Sequence, residues 1–205
     1  MREAIAGLIL AGGLSSRMGG GDKCLLNLAG KPLLRHVIDR TEPQLDALAL
    51  NANGDPHRFA AFGLPILPDT VPGFPGPLAG VLAGLEWMEA QTSFRRLVTV
   101  AGDTPFFPHD LVVRLASAAD EAPNAITIAR AAGREHPVFA LWPAGMAAPL
   151  RAYLAEGGRK VFDFIHSRPF VCVDFPAATG LAPFFNINTK QDLAEAERMM
   201  EGDSQ

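Results

Sequence analysis

Several residue clusters in this chain have types and spacings suited to phosphate chemistry. The first is Leu10-Ala11-Gly12-Gly13-Leu14-Ser15-Ser16-Arg17-Met18-Gly19-Gly20-Gly21-Asp22-Lys23. Five glycines in that run are too many for the start of a stable helix. Glycine tolerates positive φ and close backbone approach, so successive amides can converge on an anion. Ser15 and Ser16 add hydroxyl donors, and Arg17 and Lys23 add fixed positive charge. Together they describe a triphosphate cradle. Amides near Gly12 and Gly13 would hold the phosphates, while Arg17 and Lys23 would stabilise charge as catalytic groups. A Walker A loop does not fit, because Asp22 precedes Lys23 and Cys24 follows it. The G-x-G-x-x-G dinucleotide fingerprint is absent from the loop too.

A second cluster follows the apolar run Leu97–Val100, which leads into Ala101-Gly102-Asp103-Thr104-Pro105. A carboxylate just past a buried strand suits Mg²⁺, which takes one or two carboxylates plus substrate phosphates. A turn-capping aspartate would satisfy the same pattern. Asn51 and Asn53 end another apolar run, and Asp69 follows a third. As isolated residues each reads equally as a turn residue. Phe185-Asn186-Ile187-Asn188-Thr189 alternates, so Asn186 and Asn188 point the same way from extended backbone, toward a ligand or a metal shell. Helix capping competes for Asn188, with Thr189 as a plausible N-cap.

The elements that must position these residues are short apolar runs separated by amphipathic segments. The runs are 5–10, 45–50, 65–67, 97–100, 125–129, 138–142 and 170–173. Near-continuous apolar character predicts strands covered on both faces. Helices are expected over 32–41, 78–90, 108–119 and 189–200. The alternation predicts an α/β fold with a mostly parallel sheet, whose ligands sit outside the carboxyl ends of the strands. A single domain over residues 1–200 is expected, with 201–205 as a disordered tail.

Composition narrows the function. The chain has 205 residues, 48% of them hydrophobic, and a formal net charge of −4. An acidic chain lacks the basic footprint of non-specific nucleic-acid binding. No run approaches the ~20 apolar residues of a membrane span. Two distant cysteines, Cys24 and Cys172, make no zinc motif and no disulfide framework, so a reducing, cytoplasmic setting is expected. Cys24, beside Leu25 and Leu26, reads as a buried structural thiol rather than a reactive one.

The glycine-rich loop resembles the signature L-A-[GA]-G-x-[ST]-x-R-M-x-x-x-K of sugar-nucleotide and cofactor nucleotidyltransferases. Its LAGG opening, its Gly-x-Asp-Lys ending, Asn51-Ala52-Asn53, and Gly76-Pro77-Leu78-Ala79-Gly80 are most similar to the molybdenum cofactor guanylyltransferases. That resemblance runs along nearly the whole chain and implies a three-layer, Rossmann-like nucleotidyltransferase fold. It implies that Leu10, Ala11 and Gly12, with neighbouring Gly13, contact the guanine nucleotide and that Lys23 contacts its phosphates. Asn51, Asp69, and Gly76 and Gly80 of the Gly-Pro-Leu-Ala-Gly segment complete the nucleotide contacts, and Asp103 holds Mg²⁺.

The implied reaction joins GTP to molybdopterin, or to molybdenum-molybdopterin, and releases pyrophosphate. His136, Arg159, Lys160, Asn186 and Asn188 are the candidate acceptor residues. His136-Pro137 matches a His-Pro of the family, and Arg159-Lys160 would meet an anionic acceptor or else form a solvated helix start. Handover to a molybdoenzyme chaperone is a further expectation. Phosphate and metal residues do not report the base. A cytidylyltransferase is therefore the alternative, and a non-catalytic nucleotide-binding regulator a third reading.

Overall fold

A computed structural model of the chain describes residues 3–12, 22–71, 73, 76–91, 93–176 and 182–202. Gly13 and Arg17 lie outside the described residues. In chain order the strands are β1 (Ile5–Leu10), β2 (Asn27–Leu28), β3 (Lys31–Pro32), β4 (Ala47–Asn51), β5 (Ile66–Leu67), β6 (Arg96–Ala101), β7 (Ile126–Ala131), β8 (Arg134–Pro143) and β9 (Phe170–Asp174). The α-helices are α1 (Leu33–Thr41), α2 (Pro77–Glu89), α3 (Leu111–Glu121), α4 (Ala147–Ala155), α5 (Val161–His166) and α6 (Lys190–Gly202).

Seven strands form one sheet in the order β5-β4-β1-β6-β8-β7-β9. Strands β5, β4, β1 and β6 are mutually parallel, β7 pairs parallel with β9, and β8 runs antiparallel between β6 and β7. The sheet is therefore mostly parallel, as expected, with one reversal beside β6.

The period-two alternation of β1 divides the core. Ile5 and Ile9 face α1 and α3, packing with Leu34, Val37, Leu111 and Leu115. Ala6 and Leu8 face the other way, toward α2, α4 and α5, packing with Leu82, Leu85, Leu150 and Phe164. Helices on both faces of the sheet make three layers. Helix α2 lies close to the sheet because a Cβ on Gly84 would come within 2.6 Å of Leu8 and 3.0 Å of Leu97.

The seven sheet runs all appear as strands, displaced by a few residues at most ends. Helices α4 and α5 and the 3₁₀ segment Pro56–Phe62 were not among the expected elements. The last helix extends through Glu201 and Gly202, two residues into the expected tail; residues 203–205 lie outside the described set. Its start is a reciprocal cap: the Asp192 amide donates to Thr189 Oγ1 at 3.1 Å, and the Thr189 amide donates to Asp192 Oδ2 at 2.8 Å. Thr189 is thus the cap, which leaves the Asn188 side chain available for the site.

Candidate active site

Sheet register creates the site. Leu67 pairs with Asn51, Asn51 with Leu10, and Leu10 with Ala101, so one row crosses four strands at their carboxyl ends. Two residues beyond each member of that row stand Asp69, Asn53, Gly12 and Asp103. Parallel strands leave the sheet in the same direction, so four separate loops deliver these residues to one edge.

At one end of the row lies a compact ionic cluster. Lys23 Nζ donates to Asp103 Oδ2 at 2.6 Å, to Asn186 Oδ1 at 3.0 Å and to Asn188 Oδ1 at 2.5 Å. The Lys23 side chain is 9% exposed and that of Asp103 22%. An ammonium has three protons to donate, and here each finds an oxygen. Thr104 Oγ1 donates to the second carboxylate oxygen of Asp103 at 3.1 Å. The Ile187 amide donates to the Asp103 carbonyl at 3.0 Å, which aligns Asn186 and Asn188 beside the carboxylate. Ile187 itself is fully buried between them, so the expected alternation holds. Next to Lys23, burial and the charge of Asp22 push the Cys24 thiol up to about 12, which keeps it protonated.

At the other end, Asp69 is gripped by amides. Asn51 Nδ2 donates to Asp69 Oδ1 and to the Leu67 carbonyl, both at 2.9 Å. Asn53 Nδ2 donates to Asp69 Oδ2 at 2.8 Å. Gly80 lies inside α2 rather than on a ligand-facing wall. A Cβ there would sit 2.1 Å from Asn51 Oδ1 and 2.7 Å from Leu10 Cδ2. Its part is to make room for Asn51. Gly80→Ala is accordingly expected to displace the Asn51 side chain and cost about 1–3 kcal/mol, the usual range for overpacking. A thermal melt checks this; an unchanged melting temperature would show that α2 can shift freely.

Two cavities open along this edge. One, of about 750 Å³, is lined by Leu10, Gly12, Asn51, Asp69, Gly76 and Asp103, among others. The second, of about 740 Å³, is lined by Arg134, Glu135, His136, Phe162, Phe184 and Asn188, among others. They share Ala101, Val138 and Asn186. His136 stacks on Phe184 with centroids 4.6 Å apart, and burial and Arg134 hold its pKa below the ordinary value. It therefore meets a ligand as a neutral ring. Arg159 and Lys160 lie at the α4–α5 connection, outside the lining of both cavities. The Arg159 guanidinium donates to the carbonyls of Leu154 and Gly158 at 3.1 and 2.6 Å. Arg134, Glu135 and Phe162 were not expected in the second wall; no periodicity or motif marks them, and only the packing of β8 against α5 brings them together.

A parallel-sheet edge that gathers a Gly12 backbone, a strand-end carboxylate and a near-buried lysine between two cavities defines a class of protein, the nucleotidyltransferases. Residues 7–169 match the model of the MobA-like NTP transferase domain. A molybdenum cofactor guanylyltransferase of Mesorhizobium japonicum is 54% identical over 204 residues, covering 98% of each chain. One from Rhodopseudomonas palustris is 53% identical over 203 residues, covering 98% of this chain and 96% of its own. The chain belongs to the molybdenum cofactor guanylyltransferase family. Among solved structures, molybdopterin-guanine dinucleotide biosynthesis protein A of Archaeoglobus fulgidus shares the fold with a TM-score of 0.77 at 23% identity, over 96% of this chain and 99% of that one.

Proposed function

We propose that this chain transfers GMP from GTP to the terminal phosphate of molybdopterin, with or without bound molybdenum, forming molybdopterin guanine dinucleotide and releasing pyrophosphate. One observation carries the reading: two cavities of nearly equal volume meet at Asn186, beside the Lys23–Asp103 cluster. Two substrates of similar size fit such a pair, with the reacting phosphates at the junction. The names of the relatives supply guanine and the molybdenum cofactor.

In the proposed step an acceptor phosphate oxygen attacks the α-phosphorus of GTP in line. The bond to the bridging oxygen breaks, and pyrophosphate leaves with its electrons. The acceptor is already an anionic nucleophile, so neither a general base nor a covalent intermediate is needed. The chain's part is positioning and charge stabilisation. Lys23, from the end of the glycine-rich loop, sets its ammonium against the leaving pyrophosphate. Asn51 and Asp69 hold the nucleoside end, and the Gly12 backbone, with open space around its Cα, admits phosphate oxygens. His136, neutral and stacked, faces the acceptor with Asn186 and Asn188.

The donor set fits magnesium. Three side-chain oxygens, one of them a carboxylate, already converge on a single positive charge, that of Lys23. Among the described residues no group of three or more His, Cys, Asp or Glu could hold a metal, as expected where substrate phosphates complete the shell. Asp103 and Asn188 would hold the ion, which would neutralise charge on the transferred phosphoryl group. No helix among the described residues is long and apolar enough to cross a membrane, and the two cysteines are free thiols, which fits a reducing cytoplasm.

The test is a titration with GTP, CTP, ATP and UTP in the presence of Mg²⁺, followed by pyrophosphate release with molybdopterin. GTP is expected to bind best and to support release. His136→Ala should raise the molybdopterin requirement and leave GTP affinity almost unchanged. Preferential binding of CTP would make the protein a cytidylyltransferase, and binding without pyrophosphate release would make it a regulator.

A further inference from the structure

Asn53 is exposed and belongs to no core cluster, yet its side chain is fully committed. Its Nδ2 donates to Asp69 Oδ2 at 2.8 Å, and its Oδ1 accepts from the Asp69 backbone amide at 2.9 Å. This reciprocal pair fixes the orientation of the Asn53 amide, since a flipped group would set oxygen against carboxylate. The Asn53 backbone is held in turn. Arg58 Nη2 donates to the Asn53 carbonyl at 2.5 Å and Nε to the Asp55 carbonyl at 2.9 Å. The same guanidinium pairs with Asp22, the neighbour of Lys23. Asp69 is thus gripped on one oxygen by Asn51 and on the other by Asn53, and the lone pairs left over face the nucleotide cavity that all three residues line.

The row across the sheet shows what part of a nucleotide those lone pairs would meet. Between the loops after β5 and β6 lie three strand spacings of ~4.8 Å, so Asp69 stands ~14 Å from Asp103 along the edge. With phosphates at Asp103, that span reaches past the ribose hydroxyls to the base. A carboxylate with two free acceptor positions complements a base edge carrying two adjacent donors. Guanine carries them, as N1–H and the 2-amino group; cytosine and adenine offer an acceptor in that place.

We infer that Asn53 is the positioning residue for Asp69, and that the pair selects guanine by presenting a fixed carboxylate to N1–H and the 2-amino group. The inference rests on the reading that GTP occupies the first cavity. A site built to pair with a polar group discriminates sharply against analogues that lack it. Inosine triphosphate lacks only the 2-amino group, so it reports on one of the two bonds.

The experiment measures GTP and ITP affinity by titration for the wild-type protein, Asn53→Ala, Asp69→Ala and the double variant. Wild type is expected to prefer GTP over ITP by about tenfold, the range of one hydrogen bond to a charged group. Asn53→Ala should narrow that preference to about threefold or less with little change in melting temperature. The double variant should bind GTP no worse than Asp69→Ala alone, because the two residues act through one contact. A purely structural role for Asn53 would weaken GTP and ITP equally and leave their ratio intact, which overturns the inference alone. Additive losses in the double variant overturn it too. Wild-type protein that binds CTP as tightly as GTP overturns both the inference and the reading beneath it.

Discussion

Asp103→Ala and Asp103→Asn are both expected to lower turnover by about 10²–10³, the usual cost of removing one charge-stabilising element from such a site. The two variants separate chemistry from folding. Alanine leaves the Lys23 ammonium, 9% exposed, with only the Asn186 and Asn188 oxygens as acceptors among the described residues. An unmatched group of that kind costs about 1–3 kcal/mol. In a chain of this length that lowers the melting temperature by several degrees, with about 2–4 °C per kcal/mol. Asparagine keeps an oxygen near Lys23 and the bond from Thr104 while removing the charge. It should melt close to wild type and still turn over slowly. Pyrophosphate release and thermal melts check both. A folded Asp103→Asn protein with near wild-type turnover would remove Asp103 as the charge-bearing group.

Lys23→Ala carries the second large effect. It should weaken GTP binding by about 10- to 100-fold, the loss of one hydrogen bond to a charged group, and slow transfer as well. The variant also leaves the Asp103 carboxylate and two amide oxygens facing one another without their shared donor. The control is the next residue. Cys24→Ser should change GTP affinity and turnover little, because the thiol is buried, protonated near neutral pH, and only 4.0 Å from its one acceptor, the Ala11 carbonyl. GTP titration and single-turnover transfer for both variants form the test. Greater damage from Cys24→Ser than from Lys23→Ala would assign the thiol a chemical role that its burial argues against.

The acceptor side shows where sequence patterns stop being informative. His136, Asn186 and Asn188 line the second cavity, but Arg159 and Lys160 do not, although all five have suitable chemistry. Charge alone does not say which way a side chain turns. The turn between α4 and α5 sends the Arg159 guanidinium back to the carbonyls of Leu154 and Gly158. Arg134, Glu135 and Phe162 reach the wall instead, from two elements that are distant in the chain. Glu135 is further engaged by His166 at 2.8 Å and Cys172 at 3.6 Å, a rim arrangement that no local spacing encodes.

What the chain determined by itself was local. Near-continuous apolar runs made β1, β4 and β6, since such runs are stable only when covered on both faces. A period of two aimed Asn186 and Asn188 the same way, and Thr189 with Asp192 closed the start of α6. The glycine-rich loop and Asp103 were legible because glycines between cations, and a carboxylate past a buried strand, serve few other purposes. The tertiary structure decided how these pieces meet. Only the register across β5, β4, β1 and β6 sets Asp69, Asn53, Gly12 and Asp103 at one height on one edge. Only packing brings Lys23 to Asn188, 165 residues away, and makes Gly80 a gap for Asn51 rather than a ligand contact. Periodicity reports which face of an element is buried. It carries no information about which other element lies opposite, because that depends on side chains far apart in sequence filling a common volume.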